Sequence, residues 1–159
     1  MKYLQIFEIF KKTKYKKIHE LSGVALICDN RLLLVHASKY QGQNKKWSIP
    51  KGHIEGTDSL GSALKELEEE TGIILDKNFN EKIEFDYIKG GVHKVMDVFV
   101  YLRDKSEFKK YLNRWKIKSE YLDIDEIIDS KFFEISTCKK RIDSTMLNLI
   151  DILDNEILI

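Results

Sequence analysis

The stretch that decides the fold is "IPKGHIEGTDSLGSALKELEEETGI", residues 49–73. It holds six acids, four glycines and the only proline of the chain. Like charges four residues apart, as at Glu66 and Glu70, destabilise a helix by about 0.2–0.5 kcal/mol. The crowding therefore needs a reason. "DSLGSALKELEEETG" reads as a helix that Asp58 or Thr57 caps and Gly72 ends. On a wheel of about 100° per residue, Leu60, Ala63, Leu64 and Leu67 form the stripe that packs on a sheet. Glu66, Glu69 and Glu70 fall together beside it, whereas Glu68 points elsewhere into solvent.

Three carboxylates within one turn raise one another's pKa unless a cation neutralises them. Hard oxygen ligands on a rigid element suit Mg²⁺ or Mn²⁺. Alone, E-x-x-E-E on a helix is as readily a solvated acidic stripe. The loop before it shifts the balance. Gly52 and Gly56 let backbone approach a ligand closely. Lys51 meets a phosphate as a point charge, His53 lies beside it within the same loop, and the helix N-terminus adds N–H donors. Loop, lysine and carboxylates together predict a polyphosphate site.

Outward from this stretch the chain reads as one domain. With 159 residues it has enough length to bury a core without disulfide staples. Cys28 and Cys138 are far apart, in no ligand spacing, and fit packing roles in a reducing cytoplasm. A net charge of +1 argues against a generally basic nucleic-acid binder. No apolar run is long enough for a membrane span, and residues 1–17 do not read as a signal peptide. Residues 1–18 are expected to form an arm packed on the body, and residues 19–159 a single domain.

"LSGVALICDNRLLLVHA" predicts two strands joined at Asp29-Asn30. "EKIEFDYIK" and "HKVMDVFVYLR" predict two more around Gly90-Gly91, with His93 and Lys94 at a strand start facing substrate or solvent. "DKSEFKKYLNRW" predicts a short helix, "SKFFEI" a strand and "STCKKRIDSTMLNLIDILDN" one helix. Interleaved strands and helices give an α/β or α+β class with a mixed sheet.

At this point residues 52–73 resemble the Nudix hydrolase signature, G-x5-E-x7-R-E-U-x-E-E-x-G-U with U aliphatic. Gly52 matches the first glycine, and Lys65 to Ile73 match the second half position by position. Asp58 stands at the first glutamate, Lys65 at the arginine, and one residue is missing between them. The resemblance implies an α/β/α sandwich and hydrolysis of a nucleoside diphosphate linked to a group X. It implies Glu66, Glu69 and Glu70 as ligands of Mg²⁺ or Mn²⁺, with Glu66 or Glu69 also activating water. It implies that the positions of Asp58 and Lys65 brace the loop on the helix. A fourth acid is expected from a later loop, Glu120, with Asp123 and Glu126 as rivals.

"WSIPKGHIE" looks like the W-x-x-P-K-G-H version found in dinucleoside polyphosphate hydrolases. The leading expectation is a hydrolase of diadenosine or other dinucleoside polyphosphates, with Lys51, Gly52 and His53 on phosphate. Trp47, Tyr40 and Tyr87 are the candidates for stacking on a base. Nucleoside triphosphates and RNA 5′ ends are the alternative substrates, and a nucleotide sensor without turnover is the alternative class. The partner expected is a small nucleotide polyphosphate, with no membrane, and the chain is read as a monomer or homodimer.

Overall fold

Asp29 and Asn30 turn the chain back on itself at φ 51° and 60°. In this computed structural model, which describes residues 18–158, they join β1 (Ile18–Cys28) to β2 (Arg31–Ala37). The expected arm lies outside the described residues but for Ile18, which begins β1.

β1 is central. It runs parallel to β5 (Val92–Arg103) along its whole length, from Ile18↔His93 to Cys28↔Arg103. β5 pairs in turn with β4 (Glu81–Lys89) across the Gly90-Gly91 turn. β2 pairs with β1 only at Ile27↔Leu32 and Cys28↔Arg31, while its other edge pairs with β8 (Ile127–Glu134) from Arg31 to Ala37. The chain wedges itself into the gap. Ser48 bridges Val35, the Val24 N–H donates to the Pro50 carbonyl at 3.1 Å, and β3 (Lys51–His53) pairs with residues 21–23 of β1. The remaining strands are the two-residue β6 (Leu112–Asn113) and β7 (Lys116–Ile117). The sheet order is β4-β5-β1-β2-β8-β7-β6, with β3 beside β1.

Alternation along β1 builds a core on each face. Val24, Leu26 and Cys28 join Phe99, Tyr101, Ala63 and Leu67 on one side. Ala25 and Ile27 join Leu32, Met96, Val98, Cys138, Leu149 and Ile150 on the other. The first side is covered by α1 (Ser59–Thr71), the second by α2 (Ile135–Arg141) and α3 (Leu147–Ile152). This is the expected sandwich with a mixed sheet. Both cysteines are free and buried, and burial pushes each thiol up to about 12.

Three expectations need correction. The C-terminal helix is not continuous. It breaks at Ile142-Asp143, where Trp47 exchanges backbone hydrogen bonds with Arg141 and Asp143, and Asp143 caps a new turn at Thr145. The segment expected as a helix after β5 is a 3₁₀ helix, Lys105–Tyr111, which Asp104 caps at Ser106. His93 faces neither substrate nor solvent: it is fully buried, with Nε2 3.1 Å from Asp86 Oδ2. Among the described residues no helix is long and apolar enough to cross a membrane.

The wedge demands glycine at position 23. A Cβ there would stand 2.8 Å from the Pro50 carbonyl oxygen and 3.0 Å from Lys51 Cβ, both backbone-fixed. Gly23→Ala is expected to cost about 1–3 kcal/mol, measured as a lower urea midpoint at unchanged slope.

Candidate active site

α1 forms where the sequence predicts. Asp58 accepts the Gly61 N–H at 2.8 Å as N-cap, and Gly72 closes the helix at φ 77°. Ala63 and Leu67 are buried, so the next stripe around the helix faces β3. There Gly52 lies directly under Glu66, and any side chain at 52 would occupy the space of the Glu66 carboxyl. Alternation along β3 sends the neighbouring Lys51 side chain the other way, into a cavity.

Burial and adjacent charge shape this cluster. Burial first, then Glu69 and Glu126, raises the Glu66 carboxyl above its usual range. Burial first, then Glu66, pushes Glu70 up to about 8, although the Lys51 charge and backbone N–H pull it down. Burial likewise brings the Lys51 ammonium down to about 8, against the pull of Glu70. Glu70 Oε2 is buried with no hydrogen-bond partner. Glu69 stands exposed, 3.8 Å from Lys65, and Glu68 is exposed as expected.

Among the described residues no three acidic, histidine or cysteine side chains converge as a finished metal cage. The donors nonetheless fit a hard divalent ion. An unpartnered carboxylate oxygen points into the site, its neighbour is held over a glycine, and all are oxygen ligands.

Other expected residues fall out differently. Lys65 braces Glu55, at 3.1 and 3.2 Å to its two oxygens, rather than Asp58, which is committed to the cap. The later acid whose charge acts on both Glu66 and Glu70 is Glu126. Glu120 sits exposed in the 3₁₀ turn Ser119–Tyr121. Trp47 is withdrawn from any stacking role: it is 6% exposed, with His36 stacked on it at 4.9 Å and Phe133 edge-on at 5.0 Å. His53 is exposed, edge-on to His19 at 5.4 Å.

Tyr40 and Tyr87 do line the cavity, which encloses about 230 Å³ and reaches Glu70. Burial pushes the Tyr87 hydroxyl up to about 12. Five lysines, 39, 46, 51, 89 and 94, share the wall with only two acids, Glu70 and Asp143. The ammonium groups of Lys39, Lys46 and Lys89 stand 5.1, 5.7 and 5.3 Å from the centre of the Tyr40 ring. Lys89 also donates to the Tyr40 hydroxyl at 3.2 Å, the main reason that this phenol titrates below its usual value. Burial opposes ionisation of Asp143, but hydrogen bonds from Thr145 and Lys89 outweigh it and hold its carboxyl down at about 2.

Sequence reasoning singled out Lys51 and Lys94 of this wall and missed Lys39, Lys46 and Lys89. Lysines in an ordinary lysine-rich chain carry no individual signal. The Asp143-Ser144-Thr145 stretch was read as the interior of one helix, and nothing local ties it to Lys46 or Lys89.

The NUDIX domain matches residues 19–142. No curated protein matches the chain by sequence. Solved structures similar to it include a Caenorhabditis elegans Ap4A hydrolase binary complex, 20% identical, covering 86% of this chain and 95% of that one at TM-score 0.64. A MutT protein from Methanosarcina mazei is 14% identical, covering 91% and 98% at TM-score 0.65. A bifunctional NMN adenylyltransferase/ADP ribose pyrophosphatase from Francisella tularensis, complexed with AMP and a Mn ion, is 19% identical. It covers 98% of this chain and 46% of that one at TM-score 0.61.

Two outcomes follow from the cluster. Gly52→Ala displaces Glu66 and is expected to weaken Mn²⁺ binding about tenfold or more, while lowering the melting temperature less than Gly23→Ala does. Titration calorimetry and thermal melts check both. A divalent ion held by Glu70 would displace its proton, so on that assignment Mg²⁺ affinity is expected to climb with pH and flatten above about 8. A flat affinity between pH 6 and 8 would contradict that assignment.

Proposed function

This chain belongs to the NUDIX domain family, hydrolases of phosphoanhydride bonds, and we propose that it is a Mg²⁺- or Mn²⁺-dependent hydrolase of dinucleoside polyphosphates. The observation that carries the substrate class is the charge of the cavity wall. Five lysines against two acids leave three positive charges in excess. Shifting the Lys51–Glu70 pair to its neutral forms removes one charge of each sign and leaves that excess unchanged. A long polyphosphate chain matches the excess, whereas a sugar linked through a diphosphate carries too little charge. Tyr40 and Tyr87 offer aromatic surface for a base within the same cavity. Nucleoside triphosphates share the required charge and are the second reading; a triphosphorylated RNA 5′ end is the third.

In this assignment Glu66, Glu69 and Glu70 hold the ion, with Glu126 in place of Glu120 as the fourth acid. The bound ion supplies charge stabilisation at phosphorus and a more acidic water. Glu66 or Glu69 takes the proton of the attacking water in this reading. Lys51 brings its charge to the phosphate chain at the point where cavity and cluster meet. Gly52 keeps the backbone thin there, and the exposed His53 stands at the edge for an outer phosphate.

A panel of diadenosine tetraphosphate, nucleoside triphosphates, ADP-ribose and 5′-triphosphate RNA, run with Mg²⁺ and Mn²⁺, tests the assignment. Diadenosine tetraphosphate is expected to exceed ADP-ribose in kcat/KM by about tenfold or more, an energy difference of about 1.4 kcal/mol. Glu69→Gln is expected to lower kcat by about 10²–10⁴. Preference for ADP-ribose would defeat the charge argument, and a wild type inactive on every substrate would favour the sensor.

A further inference from the structure

The two carboxylate oxygens of Asp143 have separate partners. Oδ1 accepts the Thr145 N–H at 3.1 Å and the Thr145 hydroxyl at 2.9 Å. Oδ2 accepts from Lys89 Nζ at 3.0 Å and from Lys46 Nζ at 3.5 Å. The side chain is 4% exposed. Its own backbone N–H donates to the Trp47 carbonyl at 2.8 Å, anchoring the residue to the segment that carries Lys46. Lys46 comes from the loop before the wedge and Lys89 from the end of β4, so no shared element brings them together.

We infer that Asp143 is a positioning residue that gathers Lys46 and Lys89 beside Tyr40 into a preformed seat for the outer phosphates of the substrate. This rests on the polyphosphate reading above. Without a counter-ion, ammonium groups that share one phenol ring repel and splay into solvent. Asp143 holds two of them in place, so the ligand does not bear the cost of ordering two long side chains. The opposing effect is repulsion between this carboxylate and an arriving phosphate. It is the smaller effect because Asp143 is almost wholly covered, with two ammonium groups on its outward oxygen.

The division of oxygens supplies a clean variant. Asp143→Asn keeps an oxygen for the Thr145 cap and replaces the lysine acceptor with an NH₂ group. It is expected to raise the Kd for inorganic tripolyphosphate and the KM for diadenosine tetraphosphate about tenfold, with kcat within about threefold of wild type. In a Lys89→Met background the same substitution is expected to cost only about threefold, since Lys46 alone remains. Equal costs in both backgrounds, or an unchanged or tighter Kd in Asp143→Asn, overturn the inference.

Wild-type protein gives an independent arm. Lysine side-chain NMR is expected to show rigid ammonium signals for Lys46 and Lys89 before any ligand is added. Motion as free as that of the exposed Lys109 overturns the inference without any variant being folded. Should wild type hydrolyse nothing in the panel, the polyphosphate hydrolase reading falls, and the tripolyphosphate and NMR arms still decide Asp143.

Discussion

One short backbone insertion organises this molecule. The hydrogen bond from Val24 to Pro50, continued by the pairing of β3 with residues 21–23, wedges a loop between two strands that would otherwise pair. β2 meanwhile keeps β8 on its other edge along its whole length. A glycine arrives beneath the acidic stripe of α1 and a lysine arrives on the opposite side. Gly23 makes the approach feasible, since its missing Cβ is the clearance that the wedge uses.

The site also shows how local partners decide the fate of a buried carboxyl. Glu70 and Asp143 open onto the same cavity. Glu70 has one oxygen without a donor and a like charge beside it, and its pKa rises to about 8. Asp143 has donors on both oxygens, and its pKa falls to about 2. Burial acts the same way on each; hydrogen bonds and neighbouring charges separate them. One keeps an open oxygen, and the other has both oxygens satisfied.

Most of the scaffold was legible in the sequence because its signals are local. Asp29-Asn30, Asp58, Gly72 and the Gly90-Gly91 pair each specify a turn or cap within a few residues, and each stands where expected. The acidic stripe followed from helical periodicity. The departures come from contacts between distant segments. The C-terminal helix breaks because Trp47, nearly a hundred residues upstream by sequence numbering, hydrogen-bonds on both sides of Ile142. Trp47 itself looked available for a base until His36 and Phe133 closed over it. Lys65 does tie the helix to the loop, through Glu55, which no spacing rule singled out. The lysine wall is assembled from two distant stretches, residues 39–51 and 89–94, so no single window of sequence contains it.

The alternation within β3 has a consequence for how such a protein diversifies. Adjacent residues of a three-residue strand serve opposite faces, Gly52 toward the acidic helix and Lys51 toward the cavity. The two faces can thus be altered separately, except where Glu70 meets Lys51. Residues lining the cavity can drift toward a new anion while the carboxylate cluster stays untouched. The helix-facing residue is fixed by the space of the Glu66 carboxyl, whereas its cavity-facing neighbour is free of that constraint.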